Sequence, residues 1–263
     1  AVRKAAAQGR DIRFLAFLSE TNPSPAGLRR VIHYRKPKGA FAAYEKEEYL
    51  ISENDLPALA EAIALDPARL PLFSSRRAEN GVTRDLFVCT HGARDACCGS
   101  LGHPIYELAE RLYAAPSGGA LRAWRVSHLG GHRFAPTLLD FPEGRYWGRV
   151  DPDVLGRIVR RTGTFSDTAS YYRGWGALGP LEQVLEREIL RREGWEWINR
   201  PLAGTAVFRD KEGGAARVRI EYAAVPGAGA AAFEGIVERT GTVLTGGCGA
   251  EPKEVPQYSA ALL

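Results

Sequence analysis

The chain contains no methionine, and only four cysteines and five histidines among its 263 residues. Without methionine no thioether can ligate a metal. Four cysteines, Cys89, Cys97, Cys98 and Cys248, are too few and too clustered for a disulfide framework in a chain of this length, which points to metal or redox chemistry. No apolar run approaches the roughly 20 residues that a membrane-spanning helix needs. The nearest, Phe14 to Leu18, is flanked by Arg13 and Glu20. It is also too short for the apolar stretch of a secretory leader, so cytoplasm is the expected compartment and no membrane partner is expected. A dominant charge is lacking too: 35 Lys and Arg stand against 31 Asp and Glu, with the signs interspersed, so nucleic acid is not an expected partner.

What is present is a globular composition, 45% hydrophobic and 10% aromatic, sufficient for a real core. Strand-like spacing from Val31 to Tyr49 around Lys36-Pro37-Lys38-Gly39 predicts two strands. A helix follows, with Ser52 as N-cap, Leu56, Leu59 and Ile63 along one face, and an end near Asp66-Pro67. Leu86-Phe87-Val88 reads as a buried strand that delivers Cys89 at its carboxyl end to a loop holding the cysteines. Pro104 then opens a helix with the stripe Ile105, Leu108, Ala109 and Leu112.

Leu121 to Ser127 is a strand ending at His128, and two strands around Pro142-Glu143-Gly144 form a hairpin. Asp151-Pro152-Asp153 starts a helix. Strand, helix, strand, hairpin, helix is the order of a thioredoxin-type core, in which two loops leave adjacent strand ends and meet. Pro180 to Arg192 is a further helix, and residues 203 to 245 give three or four strands with Gly-rich connections. The expected fold class is therefore α+β, with an N-terminal α/β extension over residues 1–80, a core over 81–200 and a small β-rich segment over 201–263.

Two constellations carry chemistry. Cys89-Thr-His-Gly-Ala-Arg-Asp-Ala-Cys97-Cys98-Gly99 offers soft thiolates in a short glycine-bearing loop, suited to zinc, copper(I) or iron–sulfur. Ser127-His128-Leu129-Gly130-Gly131-His132-Arg133-Phe134 offers two imidazoles. The glycines between them predict a tight loop folding both rings inward, rather than a zinc-protease helix. Two thiolates and two imidazoles fit structural zinc at least as well as iron–sulfur, and the spacing leaves that choice open. Gly174-Trp-Gly-Ala-Leu-Gly179 fits a dinucleotide fingerprint weakly and reads as a helix-entry turn; Cys248 has no partner by sequence and reads as a free thiol.

These two motifs, together with Tyr146-Trp-Gly-Arg-Val-Asp-Pro152, resemble the sucrase/ferredoxin-like family over residues 82 to about 195. The resemblance implies a thioredoxin-like ferredoxin core and a 2Fe-2S cluster held by Cys89, Cys98, His128 and His132. Cys98 is preferred because it precedes Gly99 as the family's second cysteine precedes a glycine, with Cys97 as the rival. It also implies an electron carrier rather than an enzyme, with a reductase or electron acceptor as redox partner. Imidazole ligands would raise the potential above the roughly −400 mV of all-Cys plant-type ferredoxins and couple it to a proton.

His91, Arg94, Arg133 and Arg149 are expected around the ligands, to hydrogen-bond cluster sulfides or dock an acidic partner; His33 and His103 are expected to be ordinary. No carboxylate pair is marked out for sugar hydrolysis. The alternatives are a structural-zinc protein-binding module, and a thiol oxidoreductase using Cys97 and Cys98.

Overall fold

The computed structural model describes residues 2–9, 11–78, 83–210, 214–223 and 230–263. A short helix α1 (Val2–Ala7) and a two-residue strand β1 (Phe17–Leu18) come first. The expected hairpin follows as antiparallel β2 (Leu28–Arg35) and β3 (Glu45–Ser52), and then α2 (Leu56–Ala64). The N-cap position of α2 belongs to Asp55 and not to Ser52. The Ser52 hydroxyl is engaged one turn earlier, donating to the Asp55 carboxylate and accepting the Asp55 N–H.

The main sheet is built from β1, β4 (Arg84–Cys89), β5 (Leu121–Val126), β6 (Thr137–Phe141), β7 (Arg145–Gly148) and β8 (Tyr172–Trp175), in the order β1-β5-β4-β6-β7-β8. Helix α3 (Ala96–Ala109) crosses from β4 to its parallel neighbour β5; the other pairings are antiparallel. Parallel neighbours end at the same sheet edge, so the segments after Cys89 and Val126 emerge side by side. Helices α4 (Pro152–Arg160) and α5 (Pro180–Glu193) follow the hairpin and β8. The edge strand β8 overlaps the start of the weak dinucleotide fingerprint. The first fingerprint glycine, Gly174, lies within that strand and packs on the Gln183 side chain instead of turning around a phosphate.

Period-2 alternation along β4 sorts its residues between two cores. Leu86 and Val88 join the large cluster formed with α3, α4 and α5, while Phe87 and Cys89 join Trp124, Val126, Leu129, Leu139 and Cys98 on the other face. The β2–β3 hairpin covers that second face, with Tyr34 stacked on Phe141 at 3.9 Å between ring centroids. A buried charge network fastens it. Asp85, fully buried, accepts hydrogen bonds from Arg122 Nε at 2.8 Å and Trp124 Nε1 at 2.7 Å, and Lys46 Nζ lies 2.5 Å away; Glu48 takes Arg122 Nη2 at 2.8 Å and also pairs with Arg30.

Beyond α5, strands β9 (Leu202–Arg209), β10 (Ala215–Ala223), β11 (Ala230–Thr245) and β12 (Lys253–Leu262) form an antiparallel sheet in the order β12-β11-β10-β9, packed on α5. The Gly-rich connections expected here lie partly outside the described residues. Strand β12 lies beyond the strands expected over residues 203 to 245; its Pro256 is tolerated because β12 is the edge of its sheet.

Candidate metal centre

The cysteine segment is not the simple loop expected from its glycines. Helix α3 begins at Ala96, eight residues before Pro104. It starts early because the Asp95 side chain caps it, accepting the backbone N–H of Cys97 at 3.0 Å and of Cys98 at 3.4 Å. Both cysteines therefore sit in the first helical turn, where successive side chains point about 100° apart. Cys98 turns inward and is fully buried beside Cys89. Two glycines allow this approach. A Cβ on Gly99 would lie 2.8 Å from Gly92 Cα, and one on Gly102 would run into the carbonyl oxygen of Cys89.

Cys97 turns the other way and is disulfide-bonded to Cys248, 151 residues later, with the Cα atoms 5.9 Å apart. Cys248 is thus not a free thiol. The same bond removes Cys97 as a rival ligand, and it makes Cys97–Cys248, rather than Cys97 with Cys98, the vicinity in which thiol exchange could occur.

The second loop is shaped by Gly130 and Gly131, both in the left-handed region at φ +89° and +63°. His128 Nδ1 comes within 3.9 Å of both Cys89 Sγ and Cys98 Sγ, and the donor atoms of these three residues all lie within 4.8 Å of one another. His132 does not converge on the same point. Its Nδ1 lies 3.4 Å from the far nitrogen of His128, with the ring centroids 5.3 Å apart. His91 supports the loop by accepting the His128 backbone N–H at 3.3 Å, and Arg13 Nη2 donates to the His128 carbonyl at 2.9 Å. The segment before β1 also straps it, through Ser127 and Ala16. His33, largely buried, pairs with Glu47, and His103 pairs with Glu107 and Arg125.

Burial pushes the Cys98 thiol up to about 12, with the neighbouring Cys89 and Asp95 adding to the effect. Two thiols buried side by side cannot both ionise without a cation between them. His128 is shifted the other way, its pKa lowered first by burial and then by His132, Arg94, Arg13 and His91, which keeps it neutral with a lone pair free to ligate. The donor chemistry is therefore that of a soft cation site.

Arg133 and Arg149 contact no ligand ring. Their guanidiniums lie 4.7 and 5.7 Å from the Phe134 ring centroid, joined at 4.3 Å by Arg173, which the sequence reading missed. Arg173 Nε is buried without a hydrogen-bond partner, and burial, with repulsion from Arg149, Arg187 and Arg133, pushes its pKa down to about 10. Three cations thus share one aromatic ring, two residues along the chain from His132.

A family model described as sucrase/ferredoxin-like matches residues 11–174. Three curated yeast proteins named "Altered inheritance of mitochondria protein 32" are each 32% identical to this chain: over 89 residues in Meyerozyma guilliermondii, 88 in Clavispora lusitaniae and 90 in Debaryomyces hansenii. The aligned stretch spans 32% of this chain and 32–33% of each relative. No solved structure gives a significant match.

Proposed function

Because the chain belongs to the sucrase/ferredoxin-like family, we propose that it is a one-electron carrier with a thioredoxin-like ferredoxin core, holding a 2Fe-2S cluster through Cys89, Cys98, His128 and His132. The observation that carries this reading is the convergence of two buried cysteines and a neutral histidine from the carboxyl ends of two adjacent parallel strands. The sheet order β5-β4-β6-β7, with α3 as the β4-to-β5 crossover, supports the thioredoxin-like part. A bound cluster supplies reversible uptake of single electrons.

The chain's own residues do the rest. Cys89 and Cys98 offer thiolates from a dry pocket walled by Phe87, Trp124 and Leu139. His128 and His132 offer imidazoles at the outer side, where a nitrogen left free of metal can take up a proton as the charge changes. Arg133, Arg149 and Arg173 present fixed positive charge for an acidic redox partner. As proposed, the chain passes electrons and transforms no bound substrate.

Among the described residues no helix is long and apolar enough to cross a membrane. Cytoplasm is the proposed compartment, and the yeast relatives' name adds mitochondria as the one to compare in a localisation experiment.

A structural-zinc binding module is the second reading, favoured by the three donors that meet at one point while His132 stands behind His128. Electron paramagnetic resonance of the dithionite-reduced protein, grown with nitrogen-15 histidine, tests the first. A one-electron signal coupled to imidazole nitrogen supports it; a silent sample contradicts it.

A further inference from the structure

Strand β10 pairs with β11 only from Ala230 to Glu238, whereas β12 stays paired with β11 out to Thr245. Residues 242–245 and 253–257 therefore form a two-stranded arm that leaves the four-stranded sheet. A register shift between Arg239 and Gly241, with Gly241 at φ +147°, marks the point of departure. Two-stranded ribbons have little stability of their own in water, and this one exposes Val243 and Leu244.

The tip of the arm is nevertheless held in two ways. Cys248 is bonded to Cys97 at the start of α3. Beside it, Gly247 approaches the metal centre so closely that a Cβ there would lie 2.6 Å from His132 Nε2 and 2.9 Å from Asp95 Oδ2. A side chain at this position would displace the His132 ring or the Asp95 carboxylate.

We propose that the Cys97–Cys248 disulfide is an exchange site for a dithiol reductant, and that its reduction releases the arm from the His132 side of the centre. Cys248 is exposed and Cys97 half-buried, so an incoming thiolate meets Cys248 first. The new bond to Cys248 forms as the old one breaks, and Cys97 leaves as a thiolate in the first turn of α3, where the helix dipole favours an anion. The reductant's second thiol then displaces Cys248 and closes its own disulfide. Two electrons pass from the dithiol to the cystine, and two protons from the reductant's thiols end on Cys97 and Cys248.

Neither cysteine belongs to the donor set, so the inference stands apart from what Cys89, Cys98 and His128 hold. The apoprotein serves for its test as well as the loaded one.

The experiment equilibrates the full chain, air-oxidised at the outset, with graded ratios of reduced to oxidised dithiothreitol, and reads it by iodoacetamide trapping and amide hydrogen exchange. Two alkylated sites, Cys97 and Cys248, are expected to appear together under native conditions. Peptides covering 127–135 and 242–257 lose protection over the same range. Cys248→Ser shows that loss at every ratio, and Gly247→Ala shows it with the disulfide intact. Free Cys97 and Cys248 in the air-oxidised protein, a bond that resists dithiothreitol until the protein is denatured, or a bond that opens with protection unchanged would each overturn the proposal.

Discussion

Cys98 Sγ lies 3.9 Å from His128 Nδ1, although thirty residues separate them, while the adjacent Cys97 is bonded to Cys248. The two neighbouring cysteines thus have separate fates, set by the start of α3. Cys98→Ser is expected to abolish metal binding and Cys97→Ser to leave it intact, as read by iron, sulfide and zinc content of the purified variants. Loss of metal from Cys97→Ser with retention in Cys98→Ser would reverse the assignment.

The closeness of α3 to β4 rests on Gly102, whose Cα faces the carbonyl oxygen of Cys89. Gly102→Ala forces the helix outward and is expected to destabilise the fold by roughly 1–3 kcal/mol or more, the usual cost of overpacking. Urea unfolding measures it. Bound metal should fall in the same variant, because the shift parts Cys98 from Cys89. A variant as stable as the parent would show that the helix does not need this contact.

How far the sequence exposes this arrangement can be judged residue by residue. The strands ending at Cys89 and Val126, the hairpin around Pro142 and the Asp151 cap are plain from periodicity and turn chemistry. The pairing of Cys97 with Cys248 is not, because two cysteines at a sequence separation of 151 carry no local signal of the meeting. Asp95 held a usable signal, a residue type favoured at helix N-caps, but Gly99 and Gly102 in the following turns weaken the helical pattern and Pro104 drew the helix start away from it. Arg173 reaches Phe134 only through the β7–β8 pairing, which no local pattern encodes.

The network under the β2–β3 hairpin gives a pH prediction. Burial works to raise the pKa of Asp85 and Glu48, but Arg122, aided by Lys46 at Asp85 and by Arg30 at Glu48, outweighs it and holds both below the ordinary carboxylate range. Folded pKa values below unfolded ones mean stability that is fully present above the unfolded values, about pH 4, and lost as pH falls through the folded ones. Thermal melting from pH 7 to 2 should show that fall. Arg122→Met leaves both carboxylates buried without their main partner and is expected to cost about 3–5 kcal/mol at neutral pH. A melting temperature independent of pH below 4 would contradict this.

The arginines around Phe134 set the field next to the centre. Oxidation of the reduced protein by ferricyanide, an anion, should slow with added salt and slow about tenfold in Arg133→Gln/Arg149→Gln, whereas oxidation by hexaamminecobalt(III), a cation, should not slow in that variant. Equal effects on both probes would remove the case for an acidic partner on this face.

The proposed imidazole ligation makes a separate claim. The reduction potential should fall as pH rises, because the reduced form holds its extra proton more tightly, by at most about 59 mV per pH unit for one electron and one proton. His128→Cys/His132→Cys should flatten that dependence and lower the potential toward the roughly −400 mV of all-Cys sites. A wild-type potential unchanged from pH 6 to 10 would remove the proton coupling.

The most direct test of the central claim is the anaerobic visible spectrum of freshly purified protein, oxidised and then dithionite-reduced, with iron, sulfide and zinc measured on the same sample. A reddish protein with about two irons and two sulfides per chain, bleaching on reduction, is the predicted result. One colourless zinc per chain, unaffected by dithionite, would contradict it.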